Sequence, residues 1–161
     1  MLAIGRTGTP RKLGVPGEEL PKVMYRLIEA DHYVHKKILV VGGGDSAIEA
    51  AMGLAQQVGN RVTLSYRQDR FSRLKMRNQQ RIEECLRSGK VEGLFNSRPV
   101  EFRDKTAVLE VAGERREIPN DYTWIFAGGT APNEFLRSIG VQLGTLDPTA
   151  AAPAATQTAA S

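Results

Sequence analysis

The chain reads KILVV at residues 37–41 and GGGDSA at residues 42–47. The first segment is an unbroken run of β-branched and leucine side chains behind one lysine, a pattern typical of a strand buried on both faces. Small residues then recur at helical spacing, and Gly59 ends the pattern. The sequence therefore predicts a strand, a glycine turn and a helix over residues 46–58.

A second strand, predicted over residues 61–66, follows this helix directly. A glycine turn set between a buried strand and a helix, with another strand close behind, is the context in which a G-x-G-x-x-G motif binds a dinucleotide. Gly42 allows the sharp turn, Gly44 lets phosphate oxygens approach the backbone, and Ala47 takes the place of the third glycine. The turn and the helix start therefore predict a pyrophosphate site.

The residue after the second strand distinguishes the two nicotinamide dinucleotides. NAD-specific sites carry an acid about 20 residues beyond the glycine turn, where it binds the ribose 2′-hydroxyl. Arg67 stands 20 positions after Ala47, and the nearest acid is Asp69, beyond the strand. A guanidinium can pair bidentately with a 2′-phosphate, and Arg70 and Arg73 follow within reach. The sequence therefore favours NADP(H).

The rest of the chain supplies further elements. Apolar spacing predicts a short helix within residues 20–33 and a basic amphipathic helix over residues 76–87. Short strands are expected at residues 90–95, 99–103, 107–111, 115–118 and 122–126. The predicted fold class is therefore α/β, a Rossmann-like nucleotide-binding domain with a central parallel sheet and a small antiparallel β-meander.

Composition limits the other classes of function. One cysteine among 161 residues excludes an internal disulfide. The longest apolar runs, such as residues 38–41, have four residues, far below the roughly 20 that a membrane helix needs, so we expect a cytoplasmic protein without a membrane partner. The net charge of +4 permits an anionic partner. The basic segment 67–81 lacks the interleaved aromatics of a nucleic-acid surface, so no nucleic acid is expected.

Three motifs together resemble the pyridine-nucleotide domain of the thioredoxin reductase-like flavoproteins, in the pyridine nucleotide-disulfide oxidoreductase superfamily. They are GRTGTPRKLGVPGE at residues 5–18, VVGGGDSAIEAA at residues 40–51 and VTLSYR at residues 62–67. The segment GGTAP at residues 128–132 is similar to the family's exit turn. This resemblance, which covers residues 1–144, implies hydride transfer from NADPH to a bound FAD, whose electrons pass to a disulfide or another redox partner.

The sequence departs from this family in several places. Thioredoxin reductases carry a C-x-x-C pair after the tyrosine that matches Tyr25, but RLIE stands here at residues 26–29. A thiol–disulfide relay from this chain is therefore excluded, which favours the cysteine-free members, the ferredoxin–NADP reductases and bacillithiol-disulfide reductases. Gln68 replaces the second arginine of the family's Arg-Arg pair. The family's two flavin-binding segments are absent, so we expect a fragment, a split gene product or a truncated copy.

The predicted cofactor-binding set combines the glycine turn, the end of the second strand and the exit turn. Glu49 belongs to it because the resemblance places an acid near the ribose, and a solvated helix acid is the alternative. Either Asp45 or Ser46 is expected to be the N-cap of the helix. No catalytic residue and no metal ligand is predicted. The complete set is Gly42, Gly43, Gly44, Asp45, Ser46, Ala47, Glu49, Tyr66, Arg67, Arg73, Ala127, Gly128 and Gly129.

The predicted organisation has three segments. Residues 1–19 resemble the end of a flavin domain and a linker, residues 20–144 form the NAD(P)-binding domain, and residues 145–161 are a disordered Ala/Thr/Pro tail. The predicted function is the NADP(H)-binding portion of a flavin-dependent oxidoreductase, unable to turn over alone. FAD is expected in the full-length enzyme or a partner chain, with a redox protein or a small disulfide as acceptor and a homo-oligomer as the full-length form. The alternative is a non-catalytic NADP(H)-binding sensor or interaction module.

Overall fold

The computed structural model describes residues 9–128, and its central element is a five-stranded parallel sheet. The order across the sheet is β1-β8-β2-β3-β4, and every neighbouring pair is parallel. The strands of this sheet are β1 (Val23–Met24), β2 (Lys37–Val41), β3 (Arg61–Ser65), β4 (Val91–Leu94) and β8 (Tyr122–Ile125). The predicted central parallel sheet is thereby confirmed.

Helices cover one face of this sheet and a second sheet covers the other. Helix α1 (Asp45–Ala55) connects β2 to β3, and helix α2 (Met76–Arg87) connects β3 to β4. Ile38 and Val40 of β2 pack in the core on the helical side, whereas Leu39 and Val41 pack in the opposite core. Because both faces of β2 are buried, its sequence is apolar at every position after Lys37.

The second sheet is the predicted antiparallel meander. It consists of β5 (Ser97–Phe102), β6 (Thr106–Val111) and β7 (Glu114–Pro119), with β6 in the middle. Phe102 and Leu109 are buried in the same core as Leu39 and Val41 of the parallel sheet. The outward residues of the meander are charged, and Arg103 pairs there with both Glu101 and Glu117. The meander is therefore the layer that closes the second core.

Two predicted elements differ from the structure. The helix expected within residues 20–33 is wrong, because this stretch contains only strand β1 and a 3₁₀ turn, Ala30–His32. Backbone pairing with β8 decides this, since Val23 is opposite Thr123. Helix α1 ends at Ala55 instead of residue 58, because the Asn60 amide donates to the carbonyl oxygen of Leu54. The other predicted strands lie within two residues of the observed bounds.

The strand order creates a crevice at one edge of the parallel sheet. From β2 the chain proceeds to β3 and β4 on one side, whereas β8 and β1 lie on the other side. Ligands of open α/β sheets bind at such a switch point, beyond the carboxyl ends of the strands. Gly42 follows β2 and Phe126 follows β8, so both flank this crevice. Predictions for Gly129 and for residues 145–161 lie outside the described residues.

Within residues 9–128, no helix combines the length and the apolar character needed to cross a membrane.

Candidate functional site

The first two glycines of the turn are required by steric crowding. Gly42 has a φ of 138°, and a Cβ there would lie 2.6 Å from the carbonyl oxygen of Phe126. A Cβ on Gly43 would overlap the ring of Tyr66. The Gly42 N–H donates to the Ser65 carbonyl at 2.9 Å, which fixes the turn against β3. Glycine at these two positions therefore lets the chain turn after β2 in close contact with Phe126 and Tyr66, where a side chain would not fit.

The third glycine faces open space. A Cβ on Gly44 would have no heavy atom of the described residues within 4 Å, and its φ of −91° is accessible to any residue. Gly44 is also the N-cap of α1, so the prediction that Asp45 or Ser46 holds this position is wrong. Because no side chain among residues 9–128 caps α1, the N–H groups of its first turn are available to a ligand. These N–H groups, with the open space beside Gly44, form a cradle that has the size and polarity to hold a pyrophosphate group.

The start of α1 packs closely on the sheet. Ala47 is fully buried, and a Cβ built on Gly42 would lie only 3.1 Å from the Ala47 methyl group. A larger side chain at position 47 would push the helix start away from β2. Ser46, by contrast, is exposed beside the open turn. The structure thus brings the predicted residues from Gly42 to Ala47 together in one cradle.

The two predicted acidic residues of α1 are directed at α2. Asn78 of α2 donates through Nδ2 to Asp45 Oδ1 at 2.8 Å and to Glu49 Oε1 at 2.9 Å. The backbone N–H of Lys75 also donates to Asp45 Oδ1, at 3.1 Å. The hydrogen bond from Asn78, supported by that from Lys75, lowers the pKa of Asp45. Asp45 satisfies these donors instead of capping its own helix.

Asn78 is a site residue that the sequence reasoning missed. It is 6% exposed, at the same side of α2 as the buried Ile82. The signal was a polar residue four positions before Ile82, on the apolar stripe of an otherwise solvated helix. A buried amide needs hydrogen-bond partners, and Asn78 finds them in Asp45 and Glu49 of the preceding helix.

Tyr66 directly follows β3 and covers the glycine turn. Its ring stacks on Phe71 with centroids 5.6 Å apart, and Phe71 contacts Phe95 edge-on at 5.3 Å. The Tyr66 hydroxyl donates to Gln68 Oε1 at 2.8 Å, and the Ser72 hydroxyl donates to the same oxygen at 3.1 Å. Gln68 therefore helps to fold the segment that follows β3, which is named here the arginine loop (residues 67–75).

The arginine loop presents three arginine side chains to solvent. Arg67, Arg70 and Arg73 are exposed, and none of them has a side-chain hydrogen bond or an ion pair within residues 9–128. Carboxylates elsewhere on the surface do pair with arginines, as Glu92 does with Arg116 at 3.2 Å. The guanidinium groups of the loop are therefore free to bind an external anion.

The predicted exit turn borders the crevice from β8. The Phe126 N–H donates to the Val41 carbonyl at 2.8 Å, which keeps the end of β8 beside the end of β2. Ala127 is half-buried against the meander-side core, and Gly128 has a φ of 85° and accepts a hydrogen bond from the Arg11 N–H. The glycine turn and the exit turn thus meet at the switch point.

A comparison with protein families agrees with this geometry. The sequence profile described as pyridine nucleotide-disulphide oxidoreductase matches residues 1–158. The chain belongs to this family. The resemblance predicted from the three motifs is therefore confirmed.

Several relatives in the pyridine nucleotide-disulphide oxidoreductase family match over most of this chain. A ferredoxin–NADP reductase of Ignicoccus hospitalis is 37% identical over 150 residues, which are 89% of this chain and 47% of the relative. The bacilliredoxin reductase Bdr of Bacillus subtilis is 33% identical over 146 residues, 89% of this chain and 44% of the relative. The chain thus spans less than half the length of these relatives.

Solved structures support the assignment of the fold. A bacillithiol disulfide reductase of Bacillus cereus is similar with a TM-score of 0.79 and 32% identity, over 85% of this chain and 42% of that protein. A thioredoxin reductase of Lactococcus lactis gives a TM-score of 0.71 at 30% identity, over 83% of this chain and 46% of that protein. The predicted Rossmann-like α/β class is therefore confirmed.

Proposed function

We propose that this chain is the NADP(H)-binding part of a flavin-dependent oxidoreductase and presents NADPH for hydride transfer to FAD. The observation that carries the proposal is the uncapped start of α1 at the switch point, with open space beside Gly44. The N–H groups of the first helical turn hold the pyrophosphate, and the positive end of the helix dipole stabilises its charge. Gly42 and Gly43 shape the turn, and Ser46 and Ala47 line the helix start.

The arginine loop supplies the preference for the 2′-phosphate. Arg67 follows β3 at the position where NAD-specific sites hold an acid, and Arg73 lies on the same loop. Neither guanidinium has a partner within residues 9–128, so a phosphate can bind without displacing an existing ion pair. The reductase of Ignicoccus hospitalis is named for NADP, which agrees with this preference.

We propose that the nicotinamide end binds at the exit turn. Ala127 and Gly128 follow β8, across the switch point from the glycine turn, and Gly129 is the next residue of the predicted set. The bound nicotinamide supplies the hydride chemistry, and this chain binds and orients it. No side chain of the chain is required as a general acid or base. FAD is bound by the full-length enzyme or a partner chain in this proposal.

The electron acceptor is proposed to be a redox protein or a small disulfide. The names of the relatives support both, since one is a ferredoxin–NADP reductase and another is a bacillithiol disulfide reductase. Residues 26–29 contain no cysteine, and Cys85 is the single cysteine of the chain. Electrons therefore leave the flavin directly, without a dithiol relay in this chain. A cytoplasmic setting is part of the same proposal.

Titration of NADPH and NADH onto Arg67→Ala tests the assignment of the 2′-phosphate site. Loss of a charge-assisted contact costs about 1.5–3 kcal/mol, so the dissociation constant for NADPH should rise roughly 10- to 150-fold. The affinity for NADH should change little, because NADH has no 2′-phosphate. Isothermal calorimetry or nucleotide fluorescence measures both constants on the full chain.

Arg87→Ala is the matched control for charge. Arg87 is exposed at the far end of α2, and it is free of ion pairs among the described residues. Its removal lowers the net charge by the same amount and should leave the ratio of the two affinities unchanged. If Arg67→Ala weakens NADPH and NADH equally, the 2′-phosphate assignment is wrong. Bleaching of flavin absorbance by NADPH in a complex with a flavin-binding chain would test the hydride transfer.

A further inference from the structure

The arginine loop is attached at each end by different means. Its first residue, Arg67, comes two positions after β3, a strand that pairs with β2 at all five residues and with β4 at four. Its last residue, Lys75, is the N-cap of α2 and has an extended backbone with a φ of −60° and a ψ of 139°. The position of the loop above the glycine turn therefore depends on how the start of α2 is held against α1.

One buried side chain makes that attachment. Asn78 is 6% exposed, and its single Nδ2 atom donates to carboxylates of two residues one helical turn apart on α1, Asp45 and Glu49. The Lys75 N–H adds a third hydrogen bond, to Asp45 Oδ1. Hydrogen bonds to ionised acceptors are roughly twice as strong as neutral ones. Asn78 is thus the centre of the contact between the two helix starts.

The contact between Asn78 and Asp45 also holds the Asp45 carboxylate away from the N–H groups of the phosphate cradle. Asp45 is the first residue of α1, where an aspartate side chain could fold back onto the free N–H groups of its own helix. Its Oδ1 instead accepts from Asn78 and Lys75. The first turn of α1 therefore stays open beside Gly44, where the proposed function places the pyrophosphate.

We propose that Asn78 is a positioning residue that sets the selectivity for NADP(H) over NAD(H) by fixing the arginine loop against α1. This inference rests on the proposed function. Asn78 itself does not touch the nucleotide. Loosening the start of α2 releases Arg67 and Arg73 from their position beside the turn, so the contact that only NADPH makes is the first to be lost.

The test compares NADPH and NADH affinities of the full chain carrying Asn78→Asp or Asn78→Ala. The aspartate has nearly the same shape but adds a third carboxylate where the amide donated, so Glu49 loses its donor and Asp45 keeps only the Lys75 N–H. We expect NADPH to bind on the order of tenfold more weakly, with a much smaller change for NADH. The exchange variant D45N/N78D, which restores an amide–carboxylate pair with reversed roles, should recover part of the selectivity.

A second pair of variants keeps the test valid if Asn78 variants fail to fold. Lys75→Pro removes the N–H bond to Asp45 together with the lysine charge, and a φ of −60° suits proline. Lys75→Ala removes the same charge but keeps that bond. The proline variant should discriminate less between NADPH and NADH than the alanine variant.

Each outcome separates this inference from the proposed function. If Arg67→Ala reduces selectivity while both the Asn78 and the Lys75→Pro variants retain it, the inference is overturned and the proposed function stands. Equal losses for NADPH and NADH, in parallel with a lower melting temperature, would show a merely structural role and also overturn it. A wild-type chain that binds neither nucleotide would overturn both.

Discussion

At the scale of single residues, the three glycines of the turn have different physical roles. Gly42 and Gly43 are required because a side chain would collide with Phe126 or Tyr66. Gly44 is crowded by nothing in the described structure, and its backbone angles suit any residue. No packing reason therefore explains a glycine at position 44. The remaining reason is the approach of a ligand to the backbone.

Gly44→Ala separates ligand binding from folding. We expect the free energy of unfolding to change by no more than about 1 kcal/mol, because the added methyl group meets open space. Affinity for NADPH and NADH should fall together, by on the order of tenfold, since the methyl group occupies the approach of the pyrophosphate. Thermal denaturation and nucleotide titration measure the two effects.

Gly53→Ala is the control for this experiment. Gly53 lies inside α1, and a Cβ there would make an ordinary contact of 3.7 Å with the Ala30 methyl group. The helix should be slightly more stable, and nucleotide affinity should not change. Unaltered affinity in Gly44→Ala would show that position 44 does not face the pyrophosphate.

At the scale of elements, one carboxylate organises the segment that precedes β1. Glu18 is 8% exposed and accepts hydrogen bonds from three backbone N–H groups and from the Tyr25 hydroxyl, the latter at 2.7 Å. The three N–H donors belong to Leu13, Gly14 and Val15. Burial raises the pKa of Glu18, but these hydrogen bonds together outweigh it and lower the pKa below 4.5. Burial and the bond to Glu18 raise the pKa of Tyr25 to about 12.

Glu18 makes the stability of the domain depend on acid pH. Because its pKa is lower in the folded chain than in the unfolded chain, its contribution is complete above the unfolded pKa of 4.5 and is lost as pH falls through the folded value. Glu18→Gln should cost about 1.5–3 kcal/mol at pH 7, since hydrogen bonds to a charged acceptor are weakened. As the pH falls from about 5 to the acid transition, the free energy of unfolding should decrease less for the variant than for the wild type, because glutamine has no carboxylate to protonate.

Urea denaturation at several pH values measures both effects of Glu18→Gln. Glu19→Gln is the neighbouring control, because Glu19 is exposed and no hydrogen bond of its side chain occurs among the described residues. Parallel pH profiles for the wild type and Glu18→Gln would contradict this account of the segment.

At the scale of the whole described structure, the parallel sheet separates two cores. Trp124 and Leu54 belong to the helical side, whereas Leu39 and Leu109 belong to the meander side. Alternate residues of β2 and β8 enter each core, so the two cores share their central strands. Loss of one core therefore disturbs the other, and residues 9–128 should unfold as one cooperative unit.

Leu39→Ala tests this coupling. Leu39 is completely buried, and its truncation should destabilise the domain by about 2–5 kcal/mol through lost burial and a cavity. Trp124, the single tryptophan, reports on the opposite core, where it contacts Tyr33 edge-on at 4.7 Å. The fluorescence transition should shift to lower denaturant together with the circular dichroism transition. A fluorescence midpoint that stays at the wild-type value would show that the two cores unfold independently.

Local patterns predicted much of this architecture and failed where pairing between distant segments decides. β2 was predicted with its observed bounds because burial on both faces leaves an uninterrupted apolar run. Residues 20–33 were predicted as a helix because Val23, Leu27 and Ile28 have helical spacing. Pairing with β8, about 100 residues later, converts Val23 and Met24 into a strand. Spacing within one segment contains no information about that partner.

At the glycine turn, too, some features follow from the local sequence and others only from tertiary packing. The sequence by itself determined that residues 37–66 form a strand, a turn, a helix and a strand, because each of these follows from local periodicity and small residues. It also determined the family, through motifs that the comparison confirms. Only the tertiary structure decided that Gly44 caps α1 and that Asp45 points to α2. The physical reason is that a side chain takes the best hydrogen-bond donors in space, and Asn78 is brought to Asp45 only when the two helices pack on one sheet face.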